Sequence, residues 1–257
     1  MTDHCDGFEE LYEEVKHCRK CREGCSEIRN LPDEDFMHRW HPYSSGDPPF
    51  AYIFFGWEPS STGERPGVAY PECPPFSEPL QFAIRKFLDF PSGCKNFFVT
   101  NMAKCSIKGS LCAKTREFRF ATCKWVLCRE LKLARTDLFF PEFVSIGLDP
   151  RDFIHRIVRE DPNAYCGIFG GRTIHRITHY ARRNVNRLFK AFARGRAAEY
   201  ERFCAQWQKE YADFVEKKYP WHLREDGRIP DGDLQTLFYW FTKDIPAIRE
   251  GSSGKSQ

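Results

Sequence analysis

Five apolar residues, Ala51-Tyr52-Ile53-Phe54-Phe55, run without interruption and stop at Gly56. So short and unbroken a run offers no polar face to water, and it reads as a strand buried on both sides, as in a parallel sheet. Asn96–Thr100 repeats the form, Glu142–Ile146 repeats it again before Gly147, and 165–178 holds a fourth strand or a short pair turning at Gly170-Gly171. Helical stretches alternate with these, at Glu78–Asp89, Lys114–Leu133 and Asp149–Val158. Another covers Phe8–Cys18, where Phe8, Leu11, Tyr12 and Val15 share a face. The alternation predicts an α/β fold, a three-layer α/β/α sandwich around a central, mostly parallel four-stranded sheet. Two or three further helices form a C-terminal extension. The expected division is an α/β domain over 1–195, helices over 196–250 packed on the same domain, and a disordered polar tail over 251–257. Residues 30–50, carrying Pro32, Pro42, Gly46, Pro48 and Pro49, read as an irregular loop. In sheets of this kind ligands bind at the carboxyl ends of the strands, which directs attention to the loops after Phe55, Thr100 and Thr178.

The chain has 257 residues, enough for a sizeable core, and 12 cysteines. No basic stretch followed by an apolar one opens it and no run approaches the length of a membrane span. A secreted disulfide scaffold and a membrane protein are therefore not expected, and reduced thiols in the cytoplasm are. The net charge of +3 conceals a segregation. Arg172, Arg176, Arg182, Arg183, Arg187, Lys190, Arg194 and Arg196 fall in one window without a single Asp or Glu, while acidic residues crowd the first 35 positions. Such a window suits a polyanion such as nucleic acid, or else it is a solvated helix face.

Cys18-x-x-Cys21 follows the first helix, and Cys105 and Cys123 come much later with 17 residues between them. Four thiolates can hold a zinc ion or an iron–sulfur cluster. Cys25, Cys112 and Cys128 compete with these four on spacing alone, whereas Cys5, Cys73, Cys94, Cys166 and Cys204 read as buried free thiols.

The segment Thr100-Asn101-Met102-Ala103-Lys104-Cys105 resembles the Thr-Asn-x-x-Lys-Cys motif of the iron–sulfur uracil-DNA glycosylases, families 4 and 5 of that superfamily. Cys18, Cys21, Cys105 and Cys123 match the order and spacing of the four cysteines there, Cys123 to Leu131 resembles the helix before the third strand, and Ile146-Gly147 matches the glycine ending it. The likeness covers roughly 8 to 190. Two motifs depart from the pattern: the first is Gly56-Trp57-Glu58-Pro59-Ser60 instead of Gly-Glu-Ala-Pro-Gly, and the last is His179-Tyr180-Ala181 instead of His-Pro-Ser.

The resemblance implies a monomeric glycosylase that hydrolyses the N-glycosidic bond of uracil, or a related deaminated base, in DNA. It would be cytoplasmic, and nucleoid-associated in a prokaryote. A structural [4Fe–4S] cluster on Cys18, Cys21, Cys105 and Cys123 is implied, with structural zinc as the alternative. Asn101 would read the base edge, since an amide offers an acceptor and two donors to uracil N3–H and O4. Gly56 and Trp57 would help bind substrate, and Phe76 would stack on the flipped base. Glu58 would orient water and His179 would donate to the leaving base, with His175 its competitor. Arg182 and Arg183 would contact phosphates, and Tyr70 is a candidate on size to exclude the thymine methyl. The rival readings are a non-catalytic DNA-binding protein on the same fold and a zinc-stabilised RNA-binding protein. If 172–198 neutralises phosphates, Arg182→Ala/Arg183→Ala flattens the dependence of log affinity on log salt by about one unit per lost contact. An unchanged slope in a salt titration removes the segment from the interface.

Overall fold

All of Phe50–Gly56 is buried, as the unbroken apolar run demands of a central strand. The structure is a computed structural model in which residues 3–32, 36–38, 43–44, 49–58, 78–90, 96–107, 111–134, 141–160, 169, 172–178, 188–218 and 229–253 are described. The strands are β1 (Phe36–His38), β2 (Tyr43–Ser44), β3 (Phe50–Gly56), β4 (Asn96–Asn101), β5 (Cys105–Ile107), β6 (Glu142–Ile146) and β7 (Ile174–Ile177). The helices are α1 (Asp3–Lys16), α2 (Lys20–Gly24), α3 (Ser26–Arg29), α4 (Glu78–Phe87), α5 (Ala113–Leu133), α6 (Asp149–Glu160), α7 (Ala197–Lys218), α8 (Asp231–Tyr239) and α9 (Ile245–Ser253), with a π-helical turn at Trp240–Asp244 between the last two.

The main sheet runs β2-β4-β3-β6-β7, and its four longer strands are parallel. With helices flanking it, the architecture is the expected three-layer α/β/α sandwich with C-terminal helices. Two features were not expected. Inside the supposed loop 30–50, β2 pairs antiparallel with β4 and β1 pairs antiparallel with β5. These pieces of two and three residues, among prolines, carry no periodicity and are made strands by their partners.

The chain condenses into two compact units, Met1–Pro75 with Phe90–Ile174, and Phe76–Asp89 with His175–Gln257. The division is discontinuous, unlike the 1–195 and 196–250 division expected.

In the first unit, Phe120, Leu127 and Leu131 of α5 and Phe153, Ile154 and Ile157 of α6 form one core with Ile53, Phe55 and Phe143 of the sheet. Leu11 and Val15 of α1 pack on Val126 of α5. Gly147 ends β6 at φ 97°, a left-handed conformation that side chains resist. In the second unit, Phe82 and Phe87 of α4 meet Phe203, Trp207, Tyr211 and Phe241 at ring separations of 4.8–6.3 Å. That packing places α4 with the C-terminal helices.

The π-helical turn grips the end of β7 in the same unit. Trp240 Nε1 donates to the Thr178 carbonyl at 2.9 Å, and Asp244 Oδ2 accepts from the Thr178 N–H at 2.5 Å. Burial raises the Asp244 carboxyl pKa, and the bonds from Thr178 oppose it in part. A proton held more tightly in the folded chain than in the unfolded one stabilises the fold most below the raised pKa, and that contribution fades as pH rises through it. Asp244→Asn keeps an acceptor for Thr178 and cannot ionise. In urea unfolding from about pH 4 upward, the wild type should lose stability with rising pH relative to Asp244→Asn, whereas parallel curves would contradict the burial effect.

Candidate functional site

Gly56 and Asn101 are Cα partners at the carboxyl ends of the adjacent parallel strands β3 and β4. Asn101 is buried, at 7% exposure, and its side-chain oxygen lies where a Cβ on residue 56 would stand. The glycine that stops the apolar run is thus required by the amide beside it. Past the strand ends the backbones stay joined, Met102 N–H to Gly56 O and Ala103 N–H to Trp57 O, each at 2.9 Å. Asn101 therefore stands at the carboxyl ends of the strands, the edge where such sheets hold ligands.

A buried ion pair holds this corner from behind. Lys104 Nζ donates to Glu130 Oε2 at 2.5 Å, to Thr100 Oγ1 at 2.8 Å and to the Asn101 carbonyl at 2.5 Å. Thr100 Oγ1 in turn donates to the Glu130 carboxylate at 2.8 Å. Lys104 is 1% exposed and Glu130 not at all. The threonine and lysine of the Thr-Asn-x-x-Lys-Cys segment thus tie β4 to α5, and the asparagine rides on that tie. Their partner Glu130, 26 residues beyond Lys104, had no assigned role from sequence.

Glu58 is half-exposed and its Oε2 accepts from Arg119 Nη1 at 2.5 Å. Its Oε1 has no hydrogen-bond partner among the described residues. Arg119 itself is 1% exposed, and its Nη2 donates to the Cys105 carbonyl at 2.5 Å. Arg119 was also missed, because a single buried cation in a helix carries no periodic signal. Trp57 rests edge-on against Phe120 at 6.4 Å, with the Arg116 guanidinium 4.7 Å from its ring centre. A cavity of about 330 Å³ lined by Arg116, Phe120, Phe153 and Arg156 adjoins it.

The cysteines gather in the same unit. Cys21, Cys105 and Cys123 form one buried cluster with Ile28 and Ile107, and Leu31, Leu111 and Cys25 pack against it. The neighbouring thiols of Cys21 and Cys123 perturb one another, which raises the Cys21 pKa and lowers that of Cys123 to about 7. Burial raises Cys105, with repulsion from Cys123 and then Cys18 adding to it. Among the described residues no three His, Cys, Asp or Glu side chains converge as they would around a metal ion. The fold brings Cys21, Cys105 and Cys123 near one another, and Cys18, half-buried, lies outside that buried cluster. Thiolates are the donors that zinc and iron–sulfur clusters take, and among the described residues these cysteines lie near one another without a converged ligand set.

Two of the three competitors lie elsewhere. Cys112 caps α5, accepting from Thr115 N–H at 3.4 Å, and Thr115 Oγ1 reaches Glu27 of α3. Cys128 packs against the sheet core. Cys25 stays beside the cluster, 3.9 Å from Thr115 Oγ1. His175 is buried in β7, within the second unit. Phe76, His179, Arg182, Arg183 and Tyr70 lie outside the described residues. The structure thus brings Gly56, Trp57, Glu58 and Asn101 to one corner of the first unit, joined by Arg119 to the backbone of Cys105.

Comparison of the chain with family models, curated proteins and solved structures returned no match. No described helix is long and apolar enough to cross a membrane.

Lys104→Met strands the Glu130 carboxylate and should cost about 3–5 kcal/mol of stability. Lys104→Met/Glu130→Leu, which removes both charges, should recover much of that in chemical denaturation. Equal losses in the single and double variants would show that the pair is not what holds the corner.

Proposed function

We propose that the protein is a DNA glycosylase that hydrolyses the N-glycosidic bond of uracil or a related deaminated base. The observation that carries this reading is the buried Asn101 amide set against Gly56 at paired strand ends. A flipped base entering that crevice meets an acceptor and donors held rigidly by the Lys104–Glu130 tie. Water attacks the anomeric carbon of the sugar, the bond from that carbon to the base nitrogen breaks, the electron pair leaves with the base, and the proton the water gives up ends on the released base. Glu58 is suited to hold the water: Arg119 fixes Oε2, and Oε1 is left without a protein partner among the described residues. His179 is assigned to the departing base, Phe76 to stacking, and Arg182 and Arg183 to phosphates. Cys18, Cys21, Cys105 and Cys123 would hold a [4Fe–4S] cluster, or a zinc ion in its place. Such a centre would supply no step of hydrolysis, which moves no electrons, and would tie the segments that carry these cysteines together.

One observation favours the rival reading of a DNA-binding protein without activity. The Glu58 carboxylate already neutralises a buried arginine, a structural duty that needs no chemistry.

The deciding experiment is single-turnover incubation with uracil-containing single- and double-stranded DNA, followed by alkaline cleavage of abasic sites. Cleavage supports the enzyme, and binding without cleavage supports the rival. Glu58→Gln and His179→Ala should each slow base release by about 10²–10³ with affinity nearly unchanged, as expected of groups acting in the transition state. His175→Ala should be mild. If it is instead the severe variant, the leaving-group role belongs to His175.

A further inference from the structure

The cavity of about 330 Å³ beside Trp57 lies between one face of α5 and one face of α6, both in the first unit. Its floor is apolar, for Phe120 and Phe153, each 4% exposed, meet edge to face at 5.2 Å. Its mouth is charged: among the described residues Arg116, Arg156 and Arg159 stand against Glu117 and Asp152. Arg156 of α6 spans the cavity. Its guanidinium lies over the Phe153 ring, 5.2 Å from the centre, and Nη1 reaches Glu117 Oε2 of α5 at 3.1 Å. On the α5 side the Arg116 guanidinium lies 4.7 Å from the centre of the Trp57 ring. A planar fork steadied on a ring matches the geometry of a phosphate and loses little freedom in binding one.

We propose, resting on the reading of DNA as the partner, that this cavity takes a phosphodiester group of the strand beside the nucleotide at Asn101. Trp57 joins the two places, since it follows Gly56 at the end of β3 and carries Arg116 on its ring. That continuity favours a DNA phosphate over an acidic peptide as the occupant. Glu117 holds Arg156 until the strand arrives. Its carboxylate is 61% exposed, and an ion pair so open to water contributes little, so a phosphate displaces it readily. Arg156 exchanges one anion for another, and Arg116 and Arg159 add charge-assisted contacts.

The exchange gives the two partners of one ion pair opposite roles. Full-length protein is titrated with a single-stranded oligonucleotide carrying one uracil on a 2′-fluorinated sugar, which resists base loss, and anisotropy is read across a salt series. Arg156→Gln should weaken binding by about tenfold, as for a lost hydrogen bond to a charged group. It should also flatten the slope of log affinity against log salt by about 0.7 for the lost contact. Glu117→Gln, which removes the competing carboxylate, should tighten binding. Both substitutions break the same ion pair, so a merely structural role moves affinity in one direction for both, and that result overturns the proposal. An unchanged affinity and slope in Arg156→Gln overturns it too. Arg159→Gln, at an exposed position, takes the place of Arg156→Gln if that variant fails to fold, with the same sign expected. Opposite shifts seen with an oligoaspartate peptide and not with DNA make the cavity a protein-docking site, against the proposal. Base release from ordinary uracil-containing DNA is assayed on the same preparations. Opposite shifts without release sink the glycosylase reading alone, release with unshifted binding sinks the cavity alone, and a protein that binds no DNA sinks both.

Discussion

Lys104 and Glu130 meet where neither has water to fall back on. Removing two ions from water is expensive and is compensated only by close geometry and by partners for the remaining donors and lone pairs. Here the partners are the Thr100 hydroxyl and the Asn101 carbonyl. The consequence is directional. The end of β4, the turn that follows it and the middle of α5 are bound at one point, so the Asn101 amide, the backbone joins to Gly56 and Trp57, and the entry into Cys105 all take their positions from that pair. A neutral core of the same volume would pack as well but would not specify where the strand must stop.

Arg119 extends the same logic one turn further along α5. The helix carries, on faces turned away from water, a guanidinium for Glu58, a thiol for the cysteine cluster and a carboxylate for Lys104. The strand ends and the cysteine pocket are thus two sides of one helix. One side chain, Arg119, touches the carboxylate on one side and the backbone of Cys105 on the other.

Much of this was legible in the residues. The apolar runs closed by Gly56 and Gly147 located β3 and β6 because burial on both faces leaves no other pattern. The glycines themselves proved to be demanded, one by the neighbouring amide and one by a positive φ. The spacing singled out Cys21, Cys105 and Cys123, which the fold gathers in one cluster, but it could not rank Cys18 against Cys25, which packs beside them. Illegible were the interactions between residues far apart in sequence. Glu130 reads as an ordinary helix glutamate until Lys104 is placed beside it. Arg119 reads as surface, for a lone buried cation carries no periodic signature. The strands β1 and β2 exist only through their partners, and the grip of Trp240 and Asp244 on Thr178 spans more than 60 residues.

The passage of α4 into the unit completed by the C-terminal helices bears on the order in which the molecule can be made. As the chain leaves the ribosome, Phe82 and Phe87 emerge more than 100 residues before Phe203, Trp207, Tyr211 and Phe241, the rings that enclose them. Throughout that interval the helix presents an aromatic face with nothing of its own unit to cover it. Chains that stall or are cut short after β7 would carry that face uncovered, and such surface is what chaperones hold and what aggregates grow from. The aromatic core of the discontinuous unit therefore closes only once the helices that carry Phe203 to Phe241 have been synthesised.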